Sequence, residues 1–349
     1  MNTEFLPFSD EGLRVAANLA QRHDAWVEAE RRLEALATTM YFARREGGRE
    51  YLIVKRHSRD NGTSVGARSA ETERLLEQYL GEREAAQRAL ARTEAALAEI
   101  VAQYRALKLP LAMPRPAQIL RELDIAGLLG TDLMAVGTNA FAVYQIEAAA
   151  RFVNASDETD DFDLAWCRGS GISLARLTDR NPSLLETLRK VDPTFRINPR
   201  RPYQAVDERG YEVELLVAPS MFRTRPKDDG FSPMAVFQEQ EWLLRGRSVR
   251  HVVVSRDART CPIFAPDPRW MGLHKLWLAG KPERNAAKKP KDRLQGETLL
   301  RAVAERLQSA YPMDIDFVMD LPGELREVFD AWARRNGFVP ASHSAPRMR

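Results

Sequence analysis

The stretch that decides the fold is TDDFDLAW, residues 159–166. Asp161 and Asp163 stand two positions apart, and an apolar run follows. In a strand, residues i and i+2 share a face, so the two carboxylates are expected side by side. Two ionised carboxylates that close repel each other unless a cation lies between them or one takes up a proton. Either the strand starts at a wet edge and the acids are solvated, or they hold something positive.

Two other stretches bear on that choice. VGT, residues 136–138, closes an apolar strand just before a helical segment. Gly137 lets the backbone turn, Thr138 presents a hydroxyl, and a helix start with Asn139 in it offers free N–H groups to an anion. The plain alternative is an ordinary strand-to-helix turn. YEVELLVAP, 211–219, places Glu212 and Glu214 on one face of a strand that then becomes apolar. A third acid beside Asp161 and Asp163 would complete a metal site and could deprotonate a hydroxyl. Here the alternative is a solvated edge strand. A Mg²⁺ ion suits such a set, because it takes few carboxylates together with substrate phosphates.

The chain around these stretches has 349 residues, 44% apolar and 29% charged, with 52 basic and 49 acidic side chains and a net charge of +3. That length allows two or three compact units. The balance excludes a polybasic protein, so any nucleic-acid contact must come from local clustering. Cys167 and Cys261 are far apart, and no CxxC occurs. A disulfide framework is therefore not expected, and a reducing cytoplasm is. The N-terminus lacks the pattern of a signal peptide, and no apolar run is long enough for a membrane span.

An N-terminal region over 1–109 is expected to be helical, with a hairpin in it. Residues 9–37 carry a Ser9 cap and helical apolar spacing, and two strand-like runs over 39–56 flank Gly47-Gly48. A long helix over about 70–107 follows Ser69, and it could serve as an oligomerisation surface. Three prolines in 107–118 mark the boundary to a core over 110–269. In that core the pattern predicts strands at 133–137, 162–166, 250–255 and 261–266 and a hairpin over 203–219 around Asp207–Gly210. It predicts helices over 139–152 and from Asn181-Pro182 onward. A C-terminal helical subdomain over 270–340 ends at Gly337, and a disordered tail over 341–349 completes the chain. The fold class is α+β, a mixed sheet flanked by helices.

In this order, VGT at 136–138, DFDL at 161–164 and VELL at 213–216 resemble the nucleotidyltransferase fold of the DNA polymerase β-like superfamily. More narrowly, REYLIVKR with SVGARSAETE, VGTNAFAVYQ, TDDFDLAW, GYEVELLVAP, and HKLWLAG with KKPKDRLQGETLL resemble a bacterial family known as nucleotidyltransferase type eight. The likeness covers roughly residues 40–305. It differs in having Thr138 where Gly or Ser is usual and Glu214 where Asp is common.

The resemblance implies transfer of a nucleoside monophosphate from a nucleoside triphosphate to a hydroxyl on RNA, a protein or a small molecule, with Mg²⁺ or Mn²⁺ as cofactor. A toxin or defence role is a sub-case. Asp161, Asp163 and Glu214 would be the catalytic acids and metal ligands, and Gly137, Thr138 and Asn139 would hold the nucleotide. Lys275, Lys288 and Lys291 would clamp the triphosphate, with Asp292 orienting a lysine; the alternative is a solvated basic face. His274 reads as a packed histidine. The basic hairpin and loop over 44–68, with Arg44, Arg45, Arg49, Lys55, Arg56, Arg59 and Arg68, could contact nucleic acid or be a solvated surface. A catalytically silent nucleotide- or RNA-binding scaffold is the competing reading.

Overall fold

A computed structural model describes residues 4–36, 38–45, 47–56, 60–130, 133–153, 161–166, 183–224 and 238–341. At Asp161, Trp166 and 222–224 it describes the backbone alone. Arg59, Cys167, the Asn181-Pro182 pair and the tail from 342 onward lie outside the described residues.

In chain order the elements are β1 (Phe5–Pro7), α1 (Asp10–Ala35), β2 (Thr39–Arg44), β3 (Glu50–Lys55), β4 (Thr63–Ala67), α2 (Ala70–Ala106), β5 (Leu111–Ala112) and α3 (Pro114–Ile125). They continue as β6 (Leu133–Val136), α4 (Phe141–Glu147), β7 (Ala150–Phe152), β8 (Asp161–Trp166), α5 (Leu184–Val191), β9 (Arg196–Asn198), β10 (Arg201–Val206) and β11 (Glu212–Leu216). Then come α6 (Gln240–Leu243), β12 (Val249–Ser255), β13 (Thr260–Ala265), α7 (Pro268–Gly280), α8 (Lys289–Ala302), α9 (Ile315–Asp320) and α10 (Gly323–Asn336). The class is α+β. Among the described residues no helix is long and apolar enough to cross a membrane.

The chain divides into two compact units, residues 18–103 and residues 1–17 with 104–349. In the first, β2, β3 and β4 form an antiparallel sheet. Gly47 and Gly48 turn its first hairpin at φ of 91° and 76°, values that glycine adopts without a Cβ penalty. Trp26, Leu52 and Ile53 are buried. Arg68 pairs with Glu50 at 2.7 Å and Glu73 at 2.8 Å and lies over the Phe42 ring.

The second unit contains the five-stranded sheet β6-β8-β11-β10-β9. Strand β8 runs antiparallel to β6 and parallel to β11, and β10 is antiparallel to both β11 and β9. One face carries Phe162, Leu164, Val213 and Leu215, all buried. The alternate positions carry the acids, as the period of two requires. A separate sheet, β13-β12-β5, holds β12 and β13, the strands expected over 250–255 and 261–266. Helix α4 packs on β12, and α3 on β13 and α5.

Two local expectations change. The helix expected over 139–152 is a 3₁₀ turn (Gly137–Ala140), then α4, then β7. It stops because Ala149 takes a φ of 51°, and β7 leaves to pair with β1. Helix α5 is capped by Ser183, whose hydroxyl accepts from Glu186 N–H while the Glu186 carboxylate accepts from Ser183 N–H. Pro290 sits in the first turn of α8, where its missing N–H costs nothing.

Candidate active site

The sequence puts the two acid pairs in register. Asp163 on β8 lies opposite Glu214 on the parallel strand β11, and Asp161 lies opposite Glu212. On the other side of β8, Asp163 faces Val136, the last residue of β6. The chain then turns at Gly137, whose φ of +74° lies in the left-handed region. The Asp163 carboxylate occupies the space beside it. A Cβ at position 137 would stand 2.9 Å from Asp163 Oδ2. Gly137 is therefore required twice, for its backbone angle and for its bareness.

Asp163, Glu212 and Glu214 are half-buried. Gln204 on β10 lies opposite Glu214 and is fully buried. Its Nε2 donates to Glu212 Oε2 at 2.7 Å and to Glu214 Oε1 at 3.0 Å. Its Oε1 accepts from Asn198 Nδ2 at 2.7 Å, and Asn198 Oδ1 accepts from Arg200 N–H at 3.0 Å. These bonds place Glu212, Glu214 and Gln204 on one face of the sheet.

Thr138 and Asn139 are both buried in the turn after Gly137. Gln295, buried on α8, reaches the Thr138 hydroxyl at 3.4 Å. Helices α7 and α8 cross at glycines: a Cβ on Gly296 would meet Gly272 O at 2.8 Å and Leu276 Cγ at 2.7 Å. That close approach joins Lys275 to Asp292 at 2.8 Å, with both side chains buried. Arg284 takes the other oxygen of Asp292 through Nε at 2.8 Å and Nη2 at 2.7 Å. Lys288 is the exposed N-cap residue of α8, and Lys291 is half-buried in its first turn. Lys288, Lys291 and Gln295 follow at spacings of three and four, on one side of α8. His274 is buried, stacked on Trp277 and edge-on to Trp242. Burial, then the Lys275 charge, lowers its pKa to about 3.

The structure thus brings Gly137, Asp163 and Glu214 together, with Thr138 and Asn139 in the adjoining turn. It places Asp161 by register alone, and it buries the Lys275 ammonium against an acid. Among the described residues no group of three or more His, Cys, Asp or Glu side chains is placed to hold a metal ion, and the Asp161 side chain is not part of that set. Mg²⁺ commonly needs only one or two carboxylates, the rest being water and phosphate oxygens, and the oxygen donors here fit it.

Gln204 and Asn198 were not singled out from the sequence. A signal for Gln204 was present in the hairpin. A turn at Asp207–Gly210 closed by Asp207 N–H to Tyr211 O fixes the register that puts Gln204 opposite Glu214.

Three comparisons bear on this site. A search of curated proteins finds no match. One solved structure, an antigenic nucleotidyltransferase-like protein from Paracoccidioides brasiliensis, is similar at 14% identity and a TM-score of 0.35, covering 65% of this chain and 91% of that one. A TM-score that low does not fix a fold. A nucleotidyltransferase family model matches residues 115–318, a span that holds Gly137, both aspartates, Glu214, Gln204 and the α7–α8 crossing. That match takes in more than half of the sequence, and the chain belongs to the type-eight nucleotidyltransferase family.

Proposed function

We propose that the chain is a divalent-metal-dependent nucleotidyltransferase that moves a nucleoside monophosphate from a nucleoside triphosphate to a hydroxyl acceptor. The sheet at its centre is read as that of the polymerase β-like superfamily. One observation carries the proposal: the Asp163 carboxylate stands against the bare Gly137 turn and in register with Glu214. Carboxylates and an anion-accepting turn are then adjacent, as a metal–triphosphate complex requires.

Asp161, Asp163 and Glu214 would hold Mg²⁺ or Mn²⁺. When bound, the ion offsets charge on the phosphate oxygens and lowers the pKa of a coordinated hydroxyl. The acceptor oxygen bonds to the α-phosphorus, its proton passes to a Glu214 carboxylate oxygen, and the bond to the β-phosphate breaks to release pyrophosphate. Gly137, Thr138 and Asn139 orient the triphosphate through the backbone of the turn and the Thr138 hydroxyl. Lys288 and Lys291, at the start of α8, oppose its charge. Lys275 serves the same clamp from behind, by locking α8 to α7 through Asp292.

The acceptor is RNA, a protein or a small molecule, and the setting is cytoplasmic. Arg68 is already engaged by Glu50 and Glu73, so a nucleic-acid contact on the hairpin falls to Arg44, Arg45, Arg49, Lys55 and Arg56. Helix α2 exposes Leu75 and Leu80, which suit self-association.

Calorimetry with each of the four ribonucleoside triphosphates, with and without Mg²⁺, tests this reading. Wild type is expected to bind at least one in a Mg²⁺-dependent way, and Asp161→Ala/Asp163→Ala is expected to lose that binding. Equal binding by the double variant would sink the metal site. No binding of any triphosphate would favour the scaffold reading.

A further inference from the structure

We infer that Gln204 is the positioning residue of this site, a neutral buried clamp that aims Glu212 and Glu214 together while Asn198 fixes which way its carboxamide faces. The inference rests on the metal-site reading above and deepens it.

A carboxamide has two N–H donors and one acceptor oxygen. Here all three are engaged. One N–H goes to Glu212, one to Glu214, and the oxygen takes the Asn198 amide. The orientation is settled by charge. Turned over, the amide would aim its oxygen at two carboxylates and its N–H groups at the Asn198 N–H, with repulsion at both ends. Asn198 is held in its turn by the Arg200 N–H. The series therefore has one polarity from the backbone to the acids. Gln204 is fully buried on the central part of the sheet, so its side chain has no room to swing.

The chemistry of the clamp matters as much as its geometry. An Arg or Lys at position 204 would also hold the acids, but it would neutralise the charge that a divalent ion needs. A carboxamide orients both carboxylates and leaves their charge in place. Partners of this kind, one shell behind the ligands, typically change metal affinity about 10–100-fold when removed.

The test is Mn²⁺ titration of the full chain, followed by the electron paramagnetic resonance signal of free Mn²⁺, with no nucleotide present. Thermal unfolding is recorded on every variant. Gln204→Met keeps the volume and removes the donors; it is expected to weaken Mn²⁺ binding about 10–100-fold. Asn198→Ala, which leaves Gln204 in place but unaligned, is expected to weaken it less. Nucleotidyl transfer by Gln204→Met should recover at high Mn²⁺, whereas Asp163→Ala should not recover. If Gln204→Met and Asn198→Ala bind like wild type while Asp163→Ala does not bind, Gln204 is not a positioning residue and the metal site stands. If wild type fails to bind, or Asp163→Ala binds like wild type, the metal-site reading itself falls. If Gln204→Met does not fold, Asn198→Ala decides alone, with wild-type affinity overturning the inference.

Discussion

The acid face of the five-stranded sheet and the α7–α8 crossing both gather charged side chains, and they handle the charge in opposite ways. At the crossing, Asp292 is buried but receives Lys275 on one oxygen and Arg284 on the other. Charge is matched, and the helices are locked. On the sheet, Asp163, Glu212 and Glu214 crowd one face, and the donor shared by the two glutamates is a neutral carboxamide. Carboxylates gathered on one face of a strand pair are a pattern that recurs where a ligand brings positive charge. The first region reads as structure and the second as a receptor for a cation.

That contrast breaks first at Lys275. Removing one partner of a buried pair strands the other charge, at about 3–5 kcal/mol. Lys275→Met is expected to fall at the lower end of that range, because Arg284 still covers one oxygen of Asp292. Urea denaturation reads the loss. A smaller shift is expected of Asp163→Ala, at a half-buried strand position, where triphosphate binding disappears while the urea midpoint moves less than in Lys275→Met. A midpoint that falls in Asp163→Ala as far as in Lys275→Met would erase the distinction between the regions.

A smaller effect sharpens the geometry of the acid face. Gly137→Ala forces an L-residue into the left-handed region, at about 1–2 kcal/mol. It also drives a methyl group toward Asp163 Oδ2, which must move. Stability should fall by that amount, and Mn²⁺ binding should weaken with it. Unchanged Mn²⁺ binding would show that the position of Asp163 is not set by the turn.

The smallest effect belongs to His274, next to the locked pair. Among the described residues neither ring nitrogen has a hydrogen-bond partner. Its folded pKa is lowered to about 3 from an ordinary 6.5, chiefly by burial. The unfolded chain therefore takes up a proton below pH 6.5 that the folded chain refuses. The stability His274 allows is intact above pH 6.5 and is lost progressively as the pH falls from 6.5 toward 3. His274→Leu removes this dependence and two unsatisfied polar atoms. It is expected to lie within about 1 kcal/mol of wild type at pH 7 and to exceed it at pH 5, by thermal unfolding. Parallel pH curves for the two proteins would contradict the assignment.

Much of the acid face was legible in the sequence, because its signals are local. The period of two in DFDL and EVELL assigns faces, and Gly137 marks the turn. Gly337 announces the end of α10, where it does take a φ of +62°. The remainder depends on partners far along the chain. Ala149 ends α4 with a positive φ that no alanine advertises, since the break serves the pairing of β7 with β1. A lysine expected to face phosphate proves buried, because the glycine crossing that buries it joins positions 272 and 296. Gln204 carries no mark of its own in the sequence, and only the hairpin register sets it against two glutamates.

The most direct test of the central claim is anomalous diffraction from crystals soaked with Mn²⁺ and a non-hydrolysable nucleoside triphosphate. A manganese peak is expected on the sheet face, bound by Asp163 and Glu214 with Asp161 completing the set, and phosphate density against the Gly137–Asn139 turn. A peak elsewhere, or an ordered triphosphate away from that turn, would contradict that claim.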